Sequence, residues 1–124
     1  LNVVASRFGK TGFKLFEDLG AYTLLYNLKD PADAVMFVHK YLAPLISHPE
    51  GKRTELFHTL QVFLEKNGHW KATTDALFIH RSTLKYRLEK IQEYLGVDLN
   101  DAEQNFNLML ACKLYHLYCA GQEQ

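Results

Sequence analysis

The densest chemistry in the chain runs from His80 to Ile91 (HRSTLKYRLEKI). Four basic side chains, Arg81, Lys85, Arg87 and Lys90, fall within the eleven residues His80 to Lys90, interleaved with Ser82, Thr83 and Tyr86. Guanidinium and ammonium groups pair with phosphate oxygens, and Arg, Lys, Ser and Thr also reach base edges, so one use of this set is contact with nucleic acid. A second is a solvated helix surface laced by pairs such as Lys85 with Glu89, and a third is the docking of an acidic protein partner. Catalysis finds little support. His58, His69, His80 and His116 are scattered, no Ser/His/Asp set converges by spacing, and Gly9-Lys10-Thr11 lacks the upstream glycine of a phosphate-binding loop. His80 reads as a helix-starting residue that caps or contacts backbone.

Such a set needs a helix to hold it. At about 100° per residue, Leu84, Leu88, Ile91 and Leu95 fall within about 60° of one another and make an apolar stripe. Ser82, Tyr86, Glu89, Lys90 and Glu93 lie opposite, Arg81 and Lys85 flank one side, and Thr83 and Arg87 approach from the other. The wheel favours exposure of Tyr86 over half-burial. Gly96 ends this helix. Before it, Lys71 to Leu77 reads as a short helix with Ala72, Ala76 and Leu77 pointing inward, and Phe78, Ile79 and His80 form a three-residue turn. That is helix-turn-helix spacing, in which the second helix enters the major groove. Trp70, at the head of the short helix, reads as a packing residue.

Other elements frame this pair. Thr54 reads as the cap of a helix from Glu55 to Lys66 with an apolar stripe of Leu56, Leu60, Phe63 and Leu64, closed by Asn67-Gly68, which tolerate positive φ. Asp101 caps a last helix from Ala102 to about Cys119. Phe106, Met109, Leu110, Leu114, Leu117 and Tyr118 cover more than one stripe of it, so it is either central to the core or shared with another chain. Upstream, Asp30-Pro31-Ala32-Asp33 is a helix start, followed by Val35, Val38, Leu42 and Leu45, with Pro44 straining or ending the last turn. Phe16 to Leu28 reads as a short helix interrupted or started near Gly20, and Leu1–Val4 as a short strand. Pro49 and Gly51 mark Ser47 to Arg53 as the boundary between residues 1–50, a mostly helical linker ending an upstream region, and residues 51–124, the helix-turn-helix unit. The expected fold is therefore mainly α, a helix-turn-helix bundle behind a short helical linker with an N-terminal strand.

Composition narrows the partners. The chain has 124 residues, 48% of them hydrophobic, enough for a compact core. No run approaches the roughly 18 apolar residues of a membrane span, and Leu1–Lys14 lacks the pattern of a secretion signal, so the chain reads as cytoplasmic. Fourteen basic and fourteen acidic residues make any nucleic-acid contact a matter of placement and not of overall charge. Cys112 and Cys119, about 10 Å apart on one helix, are too distant for a disulfide and read as buried thiols. No cysteine or histidine spacing implies a metal, and no cofactor is expected. A first residue other than Met suggests the C-terminal portion of a longer protein.

The run Thr59–Leu114 resembles the C-terminal helix-turn-helix domain of the PucR/CdaR family of bacterial transcriptional regulators. Its most specific part is Asn67-Gly68, Ala72, Ala76-Leu77, His80-Arg81, Thr83-Leu84, Tyr86-Arg87-Leu88, Ile91, Leu95-Gly96 and Asp98-Leu99. The resemblance implies binding to double-stranded DNA, with Arg81, Thr83, Lys85 and Tyr86 facing the groove and Arg87 and Lys90 meeting phosphates. His80 and Ser82 complete the DNA-binding set. It implies an effector-sensing region upstream of Leu1, while the small contact area of one copy and the apolar last helix point to a homodimer, formed through the full-length protein or the last helix. Ser82 stands where the family usually has Asn, and Lys85 where it commonly has Arg. Both changes bear on target preference, since Ser lacks the bridging amide and Lys the bidentate fork. A bulky Trp70 replaces a small residue common in the family.

Overall fold

The computed structural model describes residues 20–47 and 51–119. Among these the chain is helical without strands: α1 (Ala21–Tyr26), α2 (Pro31–Ile46), α3 (Gly51–Glu65), α4 (Trp70–Leu77), α5 (Arg81–Leu95) and α6 (Ala102–Leu114), which widens into a π-helical turn over Tyr115–Cys119. The apolar Leu1–Val4 run and the first part of the Phe16–Leu28 run lie outside the described residues.

Local chemistry sets most of the ends. Gly20, at φ +56°, precedes α1, so the helix expected near it starts there. At the head of α2 the Asp30 carboxylate accepts from the Ala32 amide at 2.9 Å, Pro31 takes a position where its missing N–H has no helical partner, and Asp33 sits in the first turn. Pro44 does not end the helix. α2 runs two residues further and closes on the Ser47 amide, which donates to Ala43 O at 3.0 Å. A proline in the final turn removes one hydrogen bond from a stretch that is already finishing. Thr54 is not a cap either, because α3 is already helical from Gly51 and places Thr54 inside its first turn. α3 ends as its sequence suggests. Asn67 at φ +57° and Gly68 at φ +75° turn the chain left-handed, and their amides return to Leu64 O and Phe63 O at 3.0 and 2.9 Å. Asp101 accepts from the amides of Glu103 and Gln104 at 2.9 and 3.2 Å and caps α6.

The core is one cluster fed by four helices. α2 contributes Ala34, Val38, Leu42 and Leu45; α3 contributes Leu56, Phe57, Leu60, Phe63 and Leu64. α5 adds Leu84, Leu88 and Ile91, and α6 with its π-helical turn adds Leu108, Ala111, Cys112, Leu114 and Tyr115. α2 packs against α3, α5 and α6, so its apolar face shares the core of the helices that follow the Ser47–Arg53 break. Arg53 reinforces that joint: it donates to Pro44 O at 3.0 Å and its guanidinium lies 4.2 Å from the centre of the Tyr94 ring. α6 takes the first of its expected roles. Its Leu108, Ala111 and Cys112 side is central to the core, while Phe106 stays exposed. Neither Cys112 nor Cys119 is bridged, and burial pushes the Cys112 thiol up to about 12, which keeps it protonated and inert at neutral pH.

Candidate nucleic-acid interface

α4, the turn Phe78-Ile79-His80 and α5 form the expected helix pair. Thr73 is the inward residue of α4. It is fully buried, and its hydroxyl donates to His69 O at 2.6 Å. Ala72 and Leu77 are half-buried, but Ala76 is exposed, a correction to the inward reading. The packing side of this short helix holds Thr73 and Trp70, and Ala76 lies at solvent. Trp70 packs on the core, as its position suggested.

Phe78 closes α4 in the left-handed region at φ +56°, with the Ile79 amide returning to Thr74 O at 3.2 Å. Glycine is the usual residue at such a position, and Phe costs about 1 kcal/mol more there. Its ring is also almost wholly exposed. A lone aromatic between two helices carries no signal of a left-handed backbone.

α5 is anchored by its stripe. Leu84, Leu88 and Ile91 are buried and Leu95 is half-buried. His80 occupies the N-cap position and its carbonyl accepts from the Leu84 amide at 3.1 Å, but its ring makes no capping hydrogen bond, so the capping role read from the sequence is not its own. The first turn of α5, whose amides carry the positive end of the helix dipole, is thus not closed by the His80 side chain.

The outer face divides the basic residues. Arg81, Ser82 and Lys85 are exposed, and Tyr86 is 57% exposed, as the wheel indicated. The Arg81 guanidinium lies 4.5 Å from the centre of the Trp70 ring, which holds it at the head of the helix. No ion pair joins Lys85 to Glu89 among the described residues, so this part of the face is not the laced surface that their spacing allowed. Lys90 lies 3.5 Å from Glu93, whose carboxylate raises the lysine pKa above its ordinary value, and 5.8 Å from the centre of the Tyr86 ring. Thr83 is half-buried at the edge of a cleft of about 270 Å³ between α3 and α5, lined also by Arg53, Tyr86, Lys90 and Tyr94.

Arg87 goes elsewhere. Its guanidinium turns onto α3, 2.7 Å from the Glu55 carboxylate and 3.2 Å from the Thr59 hydroxyl. The structure thus brings Arg81, Ser82, Lys85 and Tyr86 together on one open face, places Thr83 and Lys90 along its edge, and turns the Arg87 guanidinium onto α3 inside the cleft that Thr83, Tyr86 and Lys90 also line.

His58 and His116 line one cleft of about 120 Å³ between α3 and the end of α6, with Gln61 Nε2 2.5 Å from His116 Nε2, and His69 and His80 lie at the heads of α4 and α5. Among the described residues no cluster of His, Cys, Asp or Glu could hold a metal, and no helix is long and apolar enough to cross a membrane.

A short helix, a three-residue turn and a second helix with a buried apolar stripe and an open basic face define a helix-turn-helix domain of the kind that reads DNA. Residues 56–114 match the PucR C-terminal helix-turn-helix domain, and the chain belongs to that family through them. The relatives agree. The chain is 34% identical over 95 residues to the proline-responsive transcriptional activator PutR of Bacillus subtilis, an alignment that covers 77% of this chain and 23% of that protein. It is 30% identical over 105 residues to the purine catabolism regulatory protein of the same organism, covering 78% of this chain and 20% of that protein. To the carbohydrate diacid regulator of Escherichia coli it is 42% identical over 59 residues, 48% of this chain and 15% of that protein. The chain thus spans less than a quarter of the length of these relatives. No solved structure is significantly similar to it. Family and relatives make the domain a sequence-specific DNA-binding module of transcription regulation.

Proposed function

We propose that α5 lies in the major groove of an operator, with Arg81, Ser82, Thr83, Lys85 and Tyr86 toward base edges and His80 and Lys90 toward the phosphates that flank them. The observation that carries this assignment is the division of α5 into a buried leucine and isoleucine stripe and an open face whose N-terminal half holds Arg81, Ser82 and Lys85 without a carboxylate. Glu89 and Glu93 sit on the C-terminal half, where they repel phosphate, so the first two turns enter the groove and the later ones stay outside it.

The domain serves a bacterial regulator, acting in the cytoplasm as a non-enzymatic DNA-binding part, with effector sensing carried upstream. It works as a homodimer. One copy of so small an interface offers limited contact area, and two copies on a palindrome multiply affinity. The upstream region or the exposed Phe106 side of α6 would join them.

Selection of bound sequences from a random duplex library tests this assignment. A recovered motif with two half-sites about one helical turn apart, or a multiple of that, is the expected result. Recovery of no motif above the input library sinks it.

A further inference from the structure

We propose that Arg87 is a positioning residue for DNA recognition: clamped between Glu55 and Thr59, it sets the rotation of α5 about its own axis and does not bind phosphate. This inference rests on the reading of α5 as the helix that enters the groove.

The hydrogen-bond directions are fixed by the atoms present. Thr59 is fully buried, and its single hydroxyl proton is given to Glu55 O at 2.9 Å. Its oxygen is left to accept, and Arg87 Nη1 donates to it at 3.2 Å while Nη2 lies 2.7 Å from Glu55 Oε1. The two acceptors stand four residues apart on one face of α3, so the planar fork is held along that helix by two nitrogens at once. A lysine ammonium, a single point charge, has no such fork. The side chain of Arg87 is only 18% exposed, against 59% for Glu55, so the contact is turned inward from the guanidinium side.

Its place on the wheel explains what the clamp adds. Arg87 follows Leu84 by three residues and precedes Leu88 by one, so it borders the stripe that seats α5 on the core. The packed stripe seats α5 on the core, and a fork fixed beside it adds a directional restraint on the rotation of the helix, and so on where Arg81, Lys85 and Tyr86 point.

The test turns on the sign of one substitution. Were Arg87 a phosphate ligand restrained by Glu55, then Glu55→Gln would release it, tighten duplex binding and steepen the dependence of log affinity on log salt by about 0.9. As a clamp, the pair predicts the opposite. Glu55→Gln weakens binding to the selected operator by about threefold or more, although it removes a negative charge, and leaves the salt slope unchanged. The loss falls on the operator and not on an unrelated duplex, because rotation matters to base contacts more than to a general phosphate grip. Arg87→Met does the same, and the double variant is no weaker than the worse single one. Measurements are made below the melting temperature of every variant, and if Arg87→Met does not fold, the Glu55→Gln result decides alone. Unchanged or tighter binding of Glu55→Gln, a slope change of about one contact, or equal loss on both duplexes overturns the inference. A wild-type chain that shows no salt-dependent duplex binding defeats the DNA-binding assignment itself, which is a separate result.

Discussion

Replacing Arg81 and Lys85 together with alanine weakens duplex binding by about thirtyfold or more and leaves the fold in place. Both residues are exposed on the first turns of α5, and neither belongs to the core. A good side-chain contact to a base edge contributes about 1–3 kcal/mol, so losing two removes roughly 2–6 kcal/mol of binding, and every 1.4 kcal/mol is about a factor of ten. The stability change is confined to the contact between Arg81 and Trp70, on the order of 0.5–1 kcal/mol for an exposed cation over an aromatic ring. Equilibrium binding by fluorescence anisotropy, paired with thermal melting of the same samples, checks both halves. Near-wild-type affinity in a folded double variant would move the reading face of α5 elsewhere. Lysine at position 81 is an informative companion, since it keeps the charge and loses the fork. A base-specific loss with the salt slope retained marks Arg81 as a base reader, and a near-neutral result marks it as a phosphate contact.

Leu42→Ala destabilises the domain by about 2–5 kcal/mol, although Leu42 lies outside residues 56–114 that match the family. Leu42 is 0% exposed in the cluster that seats α5, and α2 packs on α3, α5 and α6. Truncation leaves a cavity that helices joined by short turns cannot collapse into. Against a typical total of about 5–15 kcal/mol, this is a large share. Denaturant unfolding reads it as a lower midpoint with an unchanged slope. Leu24→Ala, at an exposed position on α1, serves as the contrast and shifts the midpoint little. If Leu42→Ala were as mild as Leu24→Ala, α2 would be an accessory to the DNA-binding unit. The expected loss makes it part of that unit, and residues 56–114 alone would then lack a wall of their core.

What the sequence made legible and what it hid follow from the range of the forces involved. The caps at Asp30 and Asp101, the left-handed close at Asn67-Gly68 and the leucine stripe of α5 depend on residues a few positions apart, so spacing alone exposes them. The three-residue turn before α5 and the exposure of Tyr86 were legible for the same reason. The start of α3 was not. Thr54 is a good cap by type, but a helix begun at Gly51 uses it as an interior residue, and turn signals do not fix a boundary to the residue. The inward side of α4 was hidden because Ala72, Thr73, Thr74 and Ala76 allowed several faces, and contacts with other helices chose Thr73 over Ala76.

Long-range placement was the larger gap. Pro49 and Gly51 advertise a break in the chain, yet nothing in their chemistry says that Val38, Leu42 and Leu45 return to the core of the helices that follow. Arg87 shows the same limit on one side chain. A helical wheel gives the angle at which its Cβ leaves the helix, but a long arm then bends to the nearest acceptor, and Glu55 and Thr59 lie on another helix, 32 and 28 residues earlier. Charge type placed it with the DNA-facing residues; geometry keeps it beside Thr83, Tyr86 and Lys90 but ties its guanidinium to α3.

The central claim, that the open face of α5 grips DNA, is tested most directly by the affinity of the chain for a short duplex measured across salt concentration. Neutral overall charge removes the trivial source of such a dependence, so the slope reports local contacts. With Lys90 at a phosphate, log affinity falls linearly with log salt at near 0.9 for each phosphate neutralised, a slope of about −1 for one copy and about −2 for a pair. A flat line, or no binding at low salt, contradicts the account.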